Sequence, residues 1–325
     1  MIGSGAVNLI KSLDRSFASA LLKLFPEHHS LICFLFHGLF TSRQEILRGE
    51  ADPQQRLTVE DFRHIIDYCL GRGYRIVSPV DVLHGLDIDG KYVLLTFDDG
   101  YYSSMRALPV LGEFGAPATF FISTNFVQNN RCFWWDVLWR ESAGIGRSET
   151  EIHREAEQLK SQTNESIEAL LTARLGERAF LPVGDLDRPM TVAELRDFAR
   201  EKAVNLGNHT LDHAILTNYG AEAAAAQIIE SQQALADMTG ERPIAIAWPN
   251  GDYSDAVISA ARAAGLRLGV TTEPRKNYLP LSEDSLMRLG RFTPIGGRGR
   301  RSLERQIDLS RSDVTLRRIV RRPRR

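Results

Sequence analysis

The feature that most constrains this chain is an alternation of short apolar runs with amphipathic helical stretches, in which run after run ends in a polar cluster. Leu31–Phe36 reads as a buried strand that stops at His37-Gly38. Thr58–Leu70 has helical spacing, with Thr58 as N-cap and Gly71 and Gly73 as the stop. Tyr74–Val77 is a short strand, and Tyr92–Phe97 is a strongly β-type run ending at Asp98-Asp99-Gly100. Ser103–Phe114 reads as a helix closed by Gly115, and Ala118–Ile122 as the next strand. The second half repeats the beat. Thr191–Lys202 is a helix whose Thr191 and Glu194 make a capping-box pattern. Val204–Leu206 leads into Asn208-His209, Glu222–Met238 is helical, and Ile244–Ala247 runs into Trp248-Pro249-Asn250-Gly251. Ser254–Ala264 and Leu268–Thr271 supply a last helix and strand. Strands that alternate with helices imply a parallel sheet covered by helices. Seven or eight such units predict closure into a barrel rather than an open sheet, and barrels carry their chemistry at the C-terminal ends of the strands. The polar clusters at His37, Asp98-Asp99, Asn208-His209 and Asn250 fall at those ends.

The rest of the chain is organised around this unit. Residues 132–190 break the rhythm: they open on Phe133-Trp134-Trp135-Asp136, continue through a charged helical stretch over Glu149–Gly176, and read as an insertion. Before residue 30, Val7, Ile10, Leu13, Phe17, Leu21, Leu24 and Phe25 recur at helical intervals, with Lys11, Arg15, Ser19 and Lys23 between them. The expected division is an amphipathic helix over 1–29, the barrel domain over 30–295 and an Arg-rich, solvated tail over 296–325. From Arg288 onward there are 13 arginines against three acids, although the whole chain carries a net charge of -1. The overall balance gives no field that favours nucleic acid, so no nucleic-acid partner is expected. The helix and the tail leave room for contact with a membrane surface. No run reaches the ~18 apolar residues of a membrane span, and the N-terminus lacks the pattern of a secretory leader. Cys33, Cys69 and Cys132 form no CxxC pair and read as packed thiols of a reducing compartment. The expected location is therefore cytoplasmic, and the sequence leaves the oligomeric state open.

Asp98-Asp99-Gly100 taken alone is as well explained by an Asx turn. His209-Thr210-Leu211-Asp212-His213 changes the balance, because two histidines at i and i+4 after a strand end present two imidazole ligands in one direction. With one carboxylate they make a three-ligand set that leaves room for water and substrate, the pattern of a catalytic metal. Asp99 then binds the metal and Asp98 serves as base. A glycosidase pair needs carboxyls ~5 Å or more apart, which is awkward for adjacent residues and leaves both histidines without a role.

These residues resemble the polysaccharide deacetylase family, the NodB homology domain or carbohydrate esterase family 4. Thr96-Phe97-Asp98-Asp99-Gly100 matches the family's first motif, His209–His213 its second, and Trp248-Pro249-Asn250-Gly251 is similar to its third. The resemblance runs from roughly residue 30 to 294. It implies a distorted (β/α)7 barrel and a divalent metal, zinc in the first place and cobalt, nickel or manganese otherwise, on Asp99, His209 and His213. It further implies Asp98 as base and an N-acetylated glycan as substrate, in glycan or cell-envelope polysaccharide biosynthesis. Phe36-His37 resembles the Tyr-His of a branch typified by poly-N-acetylglucosamine deacetylases, which implies His37 as general acid. The third motif often carries an Arg two residues before the Pro. Here that position is Ala247, and Arg291, in a segment similar to the branch's Leu-Pro-Arg, is the expected partner of Asp98. Asn250, through its backbone N–H, and Trp135, Trp248 and Tyr101 are the expected substrate contacts. An O-acetyl esterase, another amide hydrolase or a non-catalytic sugar-binding relative are the alternatives.

Overall fold

The computed structural model describes residues 17–313 apart from 21 and 26. Nine strands form one sheet: β1 (Ser30–Phe36), β2 (Arg75–Ile76), β3 (Lys91–Phe97), β4 (Ala118–Ile122), β5 (Val204–Asn208), β6 (Ala245–Ala247), β7 (Leu268–Val270), β8 (Asn277–Tyr278) and β9 (Arg291–Phe292). β1 pairs with β3 in parallel along its whole length, and β3, β4, β5, β6 and β7 follow in order, each parallel to the last. The curl then closes. Leu289 bridges Val270 in parallel beyond β7, and two residues later β9 pairs in parallel with Cys33 and Phe34 of β1. The result is a distorted α/β barrel, with the closure that the strand–helix beat predicts and the distortion that the resemblance implies. The distortion has a definite form: β3 is flanked low down by β2 and high up by β4, and β1 low down by antiparallel β8 and high up by β9.

Both faces of the long strands are buried, as a barrel wall under helices requires. Alternation divides them. Leu31, Cys33, Leu94 and Phe121 face inward with Ala245, Ala247, Leu268 and Leu289. Ile32, Phe34, Phe36, Val93, Leu95, Phe97 and Phe120 face outward, packed on the helical layer by Phe62 and Phe198. The same parity carries Thr96 and then Asp98 toward the barrel axis at the strand's C-terminal end.

The helical layer includes α1 (Val59–Leu70), α2 (Leu108–Phe114), α3 (Trp134–Gly144), α4 (Glu149–Leu159), α5 (Asn164–Leu175), α6 (Val192–Ala199), α7 (Ala221–Thr239), α8 (Asp255–Ala263) and α9 (Arg300–Arg311). Thr58 caps α1 and Thr191 caps α6, each in a reciprocal box, with Asp61 and Glu194. Ser103–Phe114 is not one helix: a 3₁₀ segment over Tyr102–Ala107 precedes α2, whose first turn holds Pro109. The insertion is three helices rather than one stretch. α3, α4 and α5 close on a core of their own that includes Trp134, Leu138, Ile152, Leu171 and Phe180. The three cysteines are free and buried.

The expectation of a solvated tail from residue 296 is corrected. Residues 300–311 form α9, and Leu303 and Ile307, one turn apart, enter the same core as α1. Its arginines stay outside, except Arg311, which pairs with Asp308 and Glu27. An Arg-dominated composition hid a narrow apolar stripe. The first part of the expected N-terminal helix and the last arginines lie outside the described residues. Residues 17–20 and 22–24 are helical, and Ser19 donates to Asp308 of α9. Among the described residues no helix is long and apolar enough to cross a membrane.

Candidate active site

Asp98 is held by the ladder, its N–H donating to Phe36 O at 2.9 Å. Asp99 leaves the strand direction at φ 78°, so adjacent carboxylates diverge. Gly100 follows at φ 92°, a left-handed position for which glycine has no steric penalty. Asp98 is gripped by Arg291 from β9 with two bonds of 2.7 Å, Nη1 to Oδ1 and Nη2 to Oδ2. Arg291 is wholly buried and spends its other donors on Thr96 Oγ1 and Thr271 O. Burial opposes ionisation of Asp98, but the guanidinium, together with the His209 and His37 imidazoles, outweighs it and holds the carboxyl below its ordinary range. Arg291, from β9, thus is the partner of Asp98, as expected with Ala at position 247.

His209 and His213 lie on a loop bound tightly to α7. Leu211 N–H donates to Gln227 O, and the Gln227 side chain and Asp212 exchange two hydrogen bonds. Thr210 and His213 are both left-handed, at φ 64° and 53°, a costly conformation that the surrounding bonds impose. His209 Nδ1 lies 2.8 Å from Ala247 O, and a carbonyl only accepts. Nδ1 therefore carries a proton, and in the neutral ring it is Nε2 that offers its lone pair to the cleft. Position 247 contributes its carbonyl, not its side chain.

Asp99 Oδ1 sits 3.4 Å from His209 Nε2 and 3.4 Å from His213 Nε2. It is buried and accepts no hydrogen bond. A tetrahedral site with bonds of about 2.0–2.1 Å has ligand–ligand edges of about 3.4 Å. The donor set is the hard-to-intermediate N,N,O combination that suits zinc and its neighbours. Arg291 already neutralises Asp98, so Asp99 is the carboxylate left to be balanced by a cation. Burial would raise it, yet the surrounding imidazoles, His37 foremost, hold it down to about 2. Burial pushes the His213 imidazole down to about 3, which keeps it neutral and able to ligate. These residues fit a divalent ion on observations of the site itself.

His37, directly after β1, brings Nε2 to 3.9 Å from Asp99 Oδ2. Asn250, left-handed at φ 59°, lines the cleft from the far side. The cleft measures about 290 Å³, and the insertion supplies one wall with Trp135, His153 and Lys160. Trp135 stacks on Phe133 and turns its edge against His213 at 4.7 Å between ring centroids. Two expected substrate contacts are corrected. Trp248 is fully buried and donates to Met287 O, because its large apolar ring packs beneath the rim with Val257 and Leu266. Tyr101 is buried behind the cleft, where its hydroxyl donates to Asp136 at 2.6 Å and accepts from Trp135 Nε1 at 2.7 Å. It holds the Trp135 wall in place. Gln55, beside His37, carried no signal in sequence, since one amide in Asp-Pro-Gln-Gln-Arg looks like any loop residue.

A closed parallel barrel with Asp, Asp, His and His gathered on its C-terminal rim defines a hydrolase-type barrel. A sequence model of the family described as Polysaccharide deacetylase matches residues 86–269, and the chain belongs to that family. The family's activity is hydrolysis of acetyl groups, and its members are generally metal-dependent. YxkH of Bacillus subtilis (strain 168), provisionally named a polysaccharide deacetylase, is 22% identical over 224 residues, which cover 67% of this chain and 60% of YxkH. The chain thus spans less than two thirds of that relative's length. The deacetylase PplD of Streptococcus pyogenes, solved in complex with acetate, superposes with a TM-score of 0.56 at 18% identity over 85% of this chain and 97% of PplD. IcaB of Ammonifex degensii superposes with a TM-score of 0.55 at 17% identity over 88% of this chain and 99% of IcaB. At these identities the two structures establish the fold.

Proposed function

We propose that this chain removes N-acetyl groups from amino sugars of a poly- or oligosaccharide by metal-dependent amide hydrolysis. The observation that carries the reading is the division of labour between adjacent carboxylates. Asp98 is ionised and clamped by Arg291, whereas Asp99 points an unpartnered oxygen at two imidazole nitrogens. Asp99, His209 and His213 are the residues to hold a divalent cation, zinc foremost. Such an ion supplies Lewis acidity for an acyl carbonyl and lowers the pKa of a water toward about 7. Asp98, fixed in geometry and charge, accepts the proton of the attacking water. The Asn250 N–H donates to the oxygen that gains charge as the carbonyl carbon becomes tetrahedral. His37 Nε2 gives a proton to the departing amine, so acetate and a free amino sugar leave. Trp135, which lines the cleft, offers apolar surface for a sugar ring. A role in making or tailoring an envelope glycan accords with this chemistry.

The test is acetate release from a panel of N-acetylated chito-oligosaccharides, peptidoglycan fragments and O-acetylated sugars, with and without a chelator. Chelator-sensitive release from N-acetyl substrates, restored by zinc, cobalt, nickel or manganese, is the expected result. Release only from O-acetyl esters, or undiminished release after the metal is stripped, overturns the reading.

A further inference from the structure

Gln55 closes the loop that follows β1 and is buried at 5% exposure. Its Nε2 donates to Leu35 O at 2.6 Å and to Pro294 O at 3.2 Å. Both neighbours are carbonyl acceptors, so the amide has one orientation, with Oε1 turned toward His37 Nδ1 at 3.1 Å. An amide oxygen only accepts. His37 Nδ1 must therefore carry a proton, and Nε2 is the nitrogen that faces Asp99 and the cleft. Leu35 lies two residues before His37, and Pro294 three residues after Arg291. A single side chain thus ties the strand end that carries His37 to the segment that carries the Arg291 clamp. An amide also orients the imidazole without adding a third negative charge to a cluster that already holds Asp98 and Asp99.

We propose that Gln55 is the positioning residue of His37, setting its tautomer and ring plane so that Nε2 meets the leaving nitrogen. The inference rests on the reading of His37 as general acid. In that step the C–N bond breaks and its electron pair stays on nitrogen. The Nε2 proton moves to that nitrogen, and His37 remains as a neutral imidazole still donating from Nδ1 to Gln55.

The experiment compares Gln55→Met, Gln55→Glu and His37→Ala in the full chain on two substrates. One is a chito-oligosaccharide active in the acetate-release panel, whose amine leaves only with a proton. The other is 4-nitrophenyl acetate, whose phenolate leaves without one. Gln55→Met is expected to lower kcat on the oligosaccharide about 10–100-fold with KM little changed, the range for a misoriented catalytic group. It should leave aryl-ester hydrolysis within about threefold and bound metal at the wild-type level. Gln55→Glu, which keeps an oxygen facing Nδ1, should recover part of the amide rate. Wild-type turnover of the oligosaccharide by Gln55→Met overturns the inference while leaving His37 as acid intact. Equal losses on both substrates in His37→Ala overturn the acid reading itself. Nitrogen chemical shifts of His37 in the wild-type chain provide an arm that no misfolded variant can confuse. A proton on Nδ1 is expected, and a neutral ring protonated at Nε2 instead overturns the proposal.

Discussion

At the scale of single residues the site depends on one buried ion pair. Arg291 and Asp98 are both removed from water, and each satisfies the other with two charge-assisted bonds. Such a pair adds little net stability, but breaking it leaves an uncompensated charge. Arg291→Met should therefore cost about 3–5 kcal/mol of unfolding free energy in a denaturant titration. Burial then acts on Asp98 with only the His209 and His37 imidazoles against it, so its pKa rises and the acid limb of the kcat/KM profile should move to higher pH. An unmoved limb in a folded Arg291→Met protein would show that another group sets the charge of Asp98. Asp98→Asn keeps the shape but removes the base, and should lower turnover by about 10²–10⁴-fold. Metal content, measured by atomic absorption, should not change, because Asp98 is not in the proposed ligand set. The residue scale also shows why four left-handed non-glycine residues, Asp99, Thr210, His213 and Asn250, gather here. They lie in the loops beyond the strand ends, where Asp99, His213 and Asn250 line the cleft and Thr210 braces the His209–His213 loop by accepting the Ala214 N–H.

At the scale of elements, the strands bring the chemistry to the rim and the loops aim it. The loop after His37 is held by Glu45, whose carboxylate takes two bonds from Arg106 and two from Thr41. Arg106 also donates to Leu39 O, two residues beyond His37. Burial works against ionisation of Glu45, but Thr41 and Arg106 outweigh it and its pKa lies below the usual value. The sign follows directly. A depressed carboxylate contributes stability above its unfolded pKa, and that contribution fades as pH falls through the folded value. Glu45→Gln should thus be less stable than wild type at pH 7 by about 1.5–3 kcal/mol, the worth of a hydrogen bond to a charged group. The gap should narrow as pH drops below about 4. A gap that stays constant across that range would mean the charge of Glu45 is not what holds the loop. The insertion acts at this scale too. Asn218 Nδ2 donates to Lys160 O and Gln162 O, and Tyr219 OH accepts from Asn164 N–H. These bonds pin the insertion to the loop beyond the metal-type site, so its own core becomes a fixed wall of the cleft.

At the scale of the whole molecule, the barrel brings together residues from four distant stretches, and binding at their junction should be felt by the whole fold. A cation that binds only the folded chain stabilises it by about 2.7 kcal/mol at a hundredfold excess over its Kd. Zinc added to chelator-stripped protein should raise Tm by a few degrees, and His213→Ala should abolish both that shift and much of the bound metal. An equal shift in His213→Ala would remove His213 from the ligand set. Much of this molecule was legible in its sequence, because the information was local. Alternating apolar runs specify strands, Thr58 and Thr191 announce helix starts, and His209 and His213 are close enough in the chain to be read as a pair. Sequence alone thus determined the barrel class and named Asp98, Asp99, His209 and His213 as candidates, which the structure brings together on one rim. It also pointed to His37 and Arg291, though neither lies within residues 86–269 that match the family. The tertiary structure alone decided what depends on distance in space. It closed the ring through Leu289 and β9, which are too short to show a strand pattern, and folded α9 onto α1 through two apolar residues among many arginines. It buried Trp248, turned Tyr101 to Asp136 and set Gln55 against His37. Those outcomes rest on contacts between residues from about twenty to hundreds of positions apart, and a residue's type says what bonds it can make but not which partner will be within 3 Å of it.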